Sequence, residues 1–477
     1  MPTLTNTSLA DLTLVEAADA VRAGRVTSQE LLAACLANWE KANGQVNATI
    51  WLDREGAEQA ARAADAAVRD GKKLGKLHGV PMAHKDMYYQ AGKRASCGSA
   101  IRQDFVPDYT ATVIERMAAE GAYVFGGLNM AEFAQNPTGH NRAFGNCQNP
   151  WNTPYITGGS SSGSGAAVAS RMTYAALGSD TGGSIRLPAA ACGVTGIKPT
   201  QTRVSRYGAM PLSFSCDNVG PLARTARDCA RVLSVIAGHD PRDPTSARLD
   251  VPDYEAALDG DLRGVRVGIT DTYFFDGADA PVVAAVEEAA RVLAGRGAII
   301  SRIRLPLMDA VAAYVAVISR SEAATIHAQW MRDRAQDYAP ALSGRMYPGF
   351  AIPAPYYIEA LSRRGGILQA FAKEVFSQVD VLLNPTIRTC LPTLAATDID
   401  NGPPGVEQTF TAVSANARPY NYLGLPAVSV NCGFDPNGLP IGLQIAGRPF
   451  AEARILRVAD AYQRDTDFCG QRPGVLG

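Results

Sequence analysis

The 477-residue chain reads as an α/β protein with a largely buried sheet. Three observations predict this. Short apolar runs alternate with helical segments from Gly79 onward. Hydrophobic residues make up 47%, enough for a substantial core. No composition shift splits the chain.

Residues 8–70 read as helical. Ser28 is placed to cap Gln29–Ala34, and Asp53 to cap a second Ala-rich segment reaching Asp70, closed by Gly71-Lys72-Lys73-Leu74-Gly75. Residues 1–75 therefore form an N-terminal helical segment packed on the core. Strands follow at His78–His84, Ala122–Gly126, Val265–Ile269, Ile299–Ile303, Val379–Leu383, Ala427–Val430 and Ile441–Ile445. Helices at Ala111–Glu120, Ala226–Ala237 and Pro281–Ala294 lie between some of them. Residues 305–375, rich in Met, Tyr and Arg, read as a variable helical insertion, and Asp398–Gly405 as a turn-rich loop.

With 45 basic and 46 acidic residues the formal net charge is -1, so neither a nucleic-acid partner nor an anionic membrane is suggested. Met1–Asn6 has no basic and apolar leader pattern, and no apolar run reaches the roughly 18 residues of a membrane span. The nine cysteines are scattered and never in a CxxC pair, which suits reduced thiols and a cytoplasmic setting. Zinc is disfavoured, because His78, His84, His140, His239 and His327 show no ligand spacing.

Two small-residue clusters carry the functional signal: Gly158-Gly159-Ser160-Ser161-Ser162-Gly163-Ser164 and Gly178-Ser179-Asp180-Thr181-Gly182-Gly183-Ser184. A flexible linker fits the first poorly, because Ala166–Ala169 follows at once and reads as a buried helix. A P-loop needs lysine after Gly163, where Ser164 stands; a dinucleotide fingerprint needs glycine at Val168. The backbone N–H groups of Thr181, Gly182, Gly183 and Ser184 can converge on one oxygen, as an oxyanion hole requires.

Lys85 ends the apolar stretch Gly79–Ala83. A surface pair with Asp86 is disfavoured, since neighbours on a strand point to opposite faces. A lysine drawn into apolar surroundings loses its proton more readily, and a neutral lysine is a base near neutral pH. His84 is the competing base, in a Ser-His-Asp arrangement, but its side chain faces away from that of Lys85. The nucleophile-elbow motif is present only in truncated form at Gly163-Ser164-Gly165.

Lys85, Ser160 and Ser184, in that order and spacing, resemble the amidase signature family. The resemblance runs from about His78 to Tyr462 through Gly127–Ala134, Asn141–Gly145, Cys192–Thr200, Asp217–Pro221, Tyr420–Ala427 and Gly438–Gln444. It implies one α/β/α catalytic domain over residues 76–470 around a large mixed sheet. It implies that Ser184 is the nucleophile, Ser160 the bridging serine behind a cis Gly159–Ser160 peptide, and Lys85 the base. Ser161, Asp180 and Arg186 fall on supporting positions. Ala134, Gln135, Asn136 and Phe144 fall on the acyl pocket. Ser162 stands where the commoner family form has glycine.

The implied reaction is hydrolysis of a carboxylic amide to acid plus amine or ammonia, without cofactor or metal. The partner is a small-molecule amide, with a homodimer as the assembly to consider. A glutamine-dependent amidotransferase subunit, an esterase or carbamate hydrolase, and a non-catalytic scaffold are the alternatives. The aromatics Tyr314, Trp330, Tyr347, Phe350, Tyr356 and Tyr357 belong either to a bulky substrate pocket or to the core.

Overall fold

The computed structural model describes residues 9–270 and 272–477. The readings on Met1–Asn6 and on the first eight residues of the N-terminal segment lie outside the described residues. Eleven strands among the described residues make one mixed sheet. They are β1 Thr49–Leu52, β2 Pro81–Lys85, β3 Tyr123–Leu128, β4 Ala175–Asp180, β5 Thr195–Lys198 and β6 Asn218–Ala223. The other five are β7 Arg266–Thr270, β8 Ile299–Ile303, β9 Val381–Pro385, β10 Ala427–Phe434 and β11 Pro440–Gly447. Their order is β1-β3-β2-β4-β6-β5-β10-β11-β9-β7-β8. Strands β2, β4, β5, β6, β9 and β11 are buried along their whole length, as expected for a sheet covered on both faces.

The seven expected strands are present, shifted by a few residues. The first begins at Pro81 rather than His78, because Gly79, at φ 76°, and the bond from its N–H to the Gly121 carbonyl still belong to the turn. The chain from 8 to 70 is not all helix. Helices Leu14–Arg22, Ser28–Val46 and Arg54–Arg69 enclose β1, which pairs antiparallel with β3. The β-branched and aromatic run Thr49-Ile50-Trp51 favours that strand.

Asp53 caps its helix as expected, accepting from the Gly56 N–H at 3.1 Å. The other cap is Thr27, not Ser28: the Thr27 hydroxyl accepts from the Glu30 N–H at 3.1 Å, and Glu30 accepts in return from the Thr27 N–H. Ser28 instead donates to the Gly79 carbonyl at 2.7 Å and ties its helix to the start of β2.

Residues 305–375 contain helices Met308–Asp333, Pro340–Ala351 and Ala354–Glu374. Their aromatics do not form a substrate pocket. Trp330 stacks on Phe133 and Tyr314 on Tyr422, while Tyr357 donates to Glu322. Tyr347, Phe350 and Tyr356 face solvent.

Candidate active site

Strands β2 and β4 run parallel and adjacent, so Lys85 and Asp180, the last residues of each, reach the same edge of the sheet. Lys85 is fully buried. Its Nζ donates to Ser160 Oγ at 2.6 Å and to Ser179 Oγ at 2.9 Å. Burial pushes its pKa down to about 7, against a smaller upward pull from Asp217, Asp180 and Cys97. Asp86 turns the other way and accepts from Trp51 Nε1 at 2.7 Å and from the Ser96 N–H and hydroxyl, so it forms no pair with Lys85. His84 is buried between the rings of Trp51 and Tyr88, with Nδ1 on the Lys85 carbonyl. Burial pushes its pKa down to about 4.

The first Gly/Ser cluster threads a crowded passage. A Cβ on Gly159 would lie 2.4 Å from the Asn136 carbonyl oxygen, and one on Gly163 would lie 2.3 Å from that of Ala48. Only glycine fits at either place. The Gly159–Ser160 peptide is cis. Ser161 N–H donates to the Ser184 carbonyl at 3.3 Å, which draws the two clusters together. Ser161 Oγ also brackets Ser179, accepting from its N–H and donating to its carbonyl. Ser164 donates to the Leu177 carbonyl at 3.1 Å, a purely structural contact. Ser162 is buried and donates to the Asn129 carbonyl at 3.4 Å.

Asp180 shapes the second cluster. Its carboxylate accepts from the N–H groups of Gly183 at 2.8 Å and Ile185 at 3.2 Å, on either side of Ser184. It also accepts from Arg186 Nε and Nη2 and from Asn421 Nδ2. Burial alone would raise this carboxyl, but Arg186 overrides that and holds it well below the usual carboxylate range. Arg186 is completely buried and spends its remaining donors on Gln444 Oε1, Asn421 Oδ1 and the Ala417 carbonyl.

In the loop expected to bind an oxyanion, the four N–H groups differ in their partners. The Gly183 N–H is taken by Asp180, leaving those of Thr181, Gly182 and Ser184 without a partner among the described residues. Ser184 lines a cleft of about 140 Å³, and its Oγ makes no hydrogen bond to Ser160 Oγ within the described residues. Ala134, Gln135 and Asn136 line the same cleft. Phe144 does not. It sits in a loop pinned by Asn141 Oδ1 on its N–H and Asn47 Nδ2 on its carbonyl. The rest of the wall includes Arg320, Arg345 and Met346 from the helices of 305–375, together with Ser414 and Arg418. A larger chamber of about 570 Å³ adjoins it through Gln135, Asn136 and Arg345.

A family model described as Amidase matches residues 30–456. The chain belongs to the amidase signature family. Among curated relatives of this amidase signature chain, the A subunit of glutamyl-tRNA(Gln) amidotransferase from Chloroflexus aurantiacus is 42% identical over 493 residues. The match covers 98% of this chain and all of the relative. The same amidotransferase component from Thermotoga maritima superposes with a TM-score of 0.82 at 30% identity, covering 99% and 98% of the two chains. A structure from a vestigial protein complex that reveals the evolutionary origins of an s-triazine catabolic enzyme gives 0.89 at 31% identity, covering 95% and 98%.

Several residues of this amidase signature site escaped the sequence reading. Ser179 is the second partner of Lys85, and Asp217 accepts from Thr181 Oγ1 at 2.5 Å. Asn421 and Gln444 hold Arg186, and the cleft arginines are scattered from 320 to 418. Among the described residues no group of three His, Cys, Asp or Glu side chains is arranged to hold a metal, and no helix is long and apolar enough to cross a membrane.

Proposed function

We propose that the chain cleaves a carboxylic amide through an acyl-enzyme on Ser184. One observation carries this reading: a fully buried lysine with a pKa near 7 donates to Ser160 at 2.6 Å, beside the loop that presents Ser184. Neutral Lys85 accepts the Ser160 proton as Ser160 accepts that of Ser184. Ser184 Oγ bonds to the amide carbon, and the N–H groups of Thr181, Gly182 and Ser184 hold the oxyanion. The C–N bond then breaks as the relay returns a proton to the leaving nitrogen. Water adds to the acyl carbon, passes a proton back through the relay, and releases the acid. Ser161, Asp180 and Arg186 fix the two loops. Ala134, Gln135 and Asn136 contact the acyl group. We assign the catalytic unit to residues 76–470 and the chain to the cytoplasm, which keeps its free cysteines reduced.

A serine-directed fluorophosphonate tests the nucleophile. The label is expected on Ser184 by mass spectrometry; a label on Ser160 or Ser164 overturns the assignment.

A second reading is the ammonia-producing component of a glutamine-dependent amidotransferase, where partner proteins receive the ammonia. The near-complete match to such components supports this over a free-standing amidase. Hydrolysis of simple amides by the isolated chain argues against it; ammonia transfer only with partner proteins establishes it. Matched amide and ester substrates separate both from an esterase.

A further inference from the structure

Three arginines from separate parts of the fold converge on the cleft of Ser184. Arg320 comes from helix Met308–Asp333, Arg345 from Pro340–Ala351, and Arg418 opens the short helix Arg418–Tyr422. Arg418 lies against the loop that presents the nucleophile: a Cβ on Gly182 would sit 3.4 Å from its Cγ and 3.9 Å from its Nε. Arg345 lies over the Phe410 ring at 4.6 Å, a contact that leaves its N–H donors unspent.

None of the three guanidinium groups has an ion pair or hydrogen bond among the described residues, in contrast to the fully bonded Arg186. Among the described residues no aspartate or glutamate lines this cleft; Glu132, Asp398 and Asp400 line only the outer chamber. Burial lowers the pKa of Arg345 to about 9, helped by repulsion from Arg418 and Arg320 and opposed by Glu407. Burial and Arg320 likewise lower Arg418. Clustered cations with no acid in the cleft lining repel one another, and an anion placed among them relieves that repulsion while taking up their forked donors.

We infer that the cleft selects an amide whose non-reacting end is a carboxylate without a neighbouring ammonium, that is, the monoamide of a small dicarboxylic acid. The inference rests on the amide-cleavage reading of Ser184 and names its substrate class. An α-amino acid amide such as glutamine fits less well. Its head is neutral overall, and its ammonium meets three cations and no acid in the cleft.

The test uses the full chain with succinamate and glutaramate, their methyl esters, and glutamine, following ammonia release. Each free-acid monoamide is expected to exceed its methyl ester in kcat/KM by at least about tenfold, and glutaramate to exceed glutamine by a similar factor. Arg345→Met and Arg320→Met should each lower kcat/KM for glutaramate about tenfold, chiefly through KM, and leave the methyl ester within about twofold.

A binding readout independent of turnover runs alongside. Glutarate should slow fluorophosphonate labelling of Ser184, and dimethyl glutarate should not. Equal use of ester and acid, better use of glutamine than glutaramate, or no protection by glutarate overturns the inference. Failure of Ser184 to label at all overturns the amide-cleavage reading itself. Labelling without anion preference overturns the substrate class alone.

Discussion

If Lys85 is the base, activity must follow its deprotonation. With a pKa near 7, its neutral fraction is about 3% at pH 5.5 and about 97% at pH 8.5, a rise of about thirtyfold. An imidazole at about 4 is already about 97% neutral at pH 5.5, so a His84-based enzyme would run flat over the same interval. The assay is initial-rate ammonia release from an amide with no group titrating in that range. The parent chain should show a rising acid limb with midpoint near 7, and His84→Ala should keep it. Lys85→Ala should lose the limb along with about 100- to 10,000-fold in rate, the usual contribution of a general base. A flat profile between pH 5.5 and 8.5, or greater damage from His84→Ala than from Lys85→Ala, refutes the lysine reading.

Further outcomes follow from the same geometry. In Lys85→Ala, ester cleavage should survive better than amide cleavage when the two rates are compared on matched substrates, because an alkoxide leaves without the proton an amine needs. Lys85→Met should gain stability relative to the parent most strongly at low pH. The folded-state pKa lies below the unfolded one, so the penalty for burying the amine is full below pH 7 and fades as pH rises toward 10.5. Paired denaturation curves should show the difference shrinking by about 2 kcal/mol between pH 7 and 9. Arg186→Met leaves the Asp180 carboxylate buried with its main counter-charge gone, and should lower unfolding free energy by about 3–5 kcal/mol in urea titrations.

The outline of this molecule was legible where physics is local. The strand expected at His78–His84 and the turning of Asp86 away from Lys85 both follow from alternation. Strands β4, β5 and β6 were missed because Gly178-Ser179-Asp180, Thr195-Gly196 and Gly220-Pro221 carry turn residues; tertiary packing, not propensity, makes them strands. The cap lies one residue before Ser28, since Thr27 and Ser28 are both good cap types and only the Glu30 contact decides between them. Ser179 and the arginines at 320, 345 and 418 have no local pattern, because distant stretches of chain assemble their neighbourhood. Phe144 came from positional resemblance, and its loop simply turns elsewhere.

The register of β2 has a chemical consequence. His84 and Lys85 are consecutive, and the pairing of Ala83 with Ala176 and His84 with Leu177 fixes which of them looks toward the serines. On the other side β3 skips a residue, with Met82 opposite Val124 and Ala83 opposite Gly126. A slip of one residue would flip every side chain of the strand to the opposite face. It would bring the imidazole before Ser160 and turn the amine toward Trp51. The choice between two nitrogen bases of unlike strength is therefore held by backbone hydrogen bonds, and a single deletion in the turn before Pro81 could exchange one for the other without altering either residue.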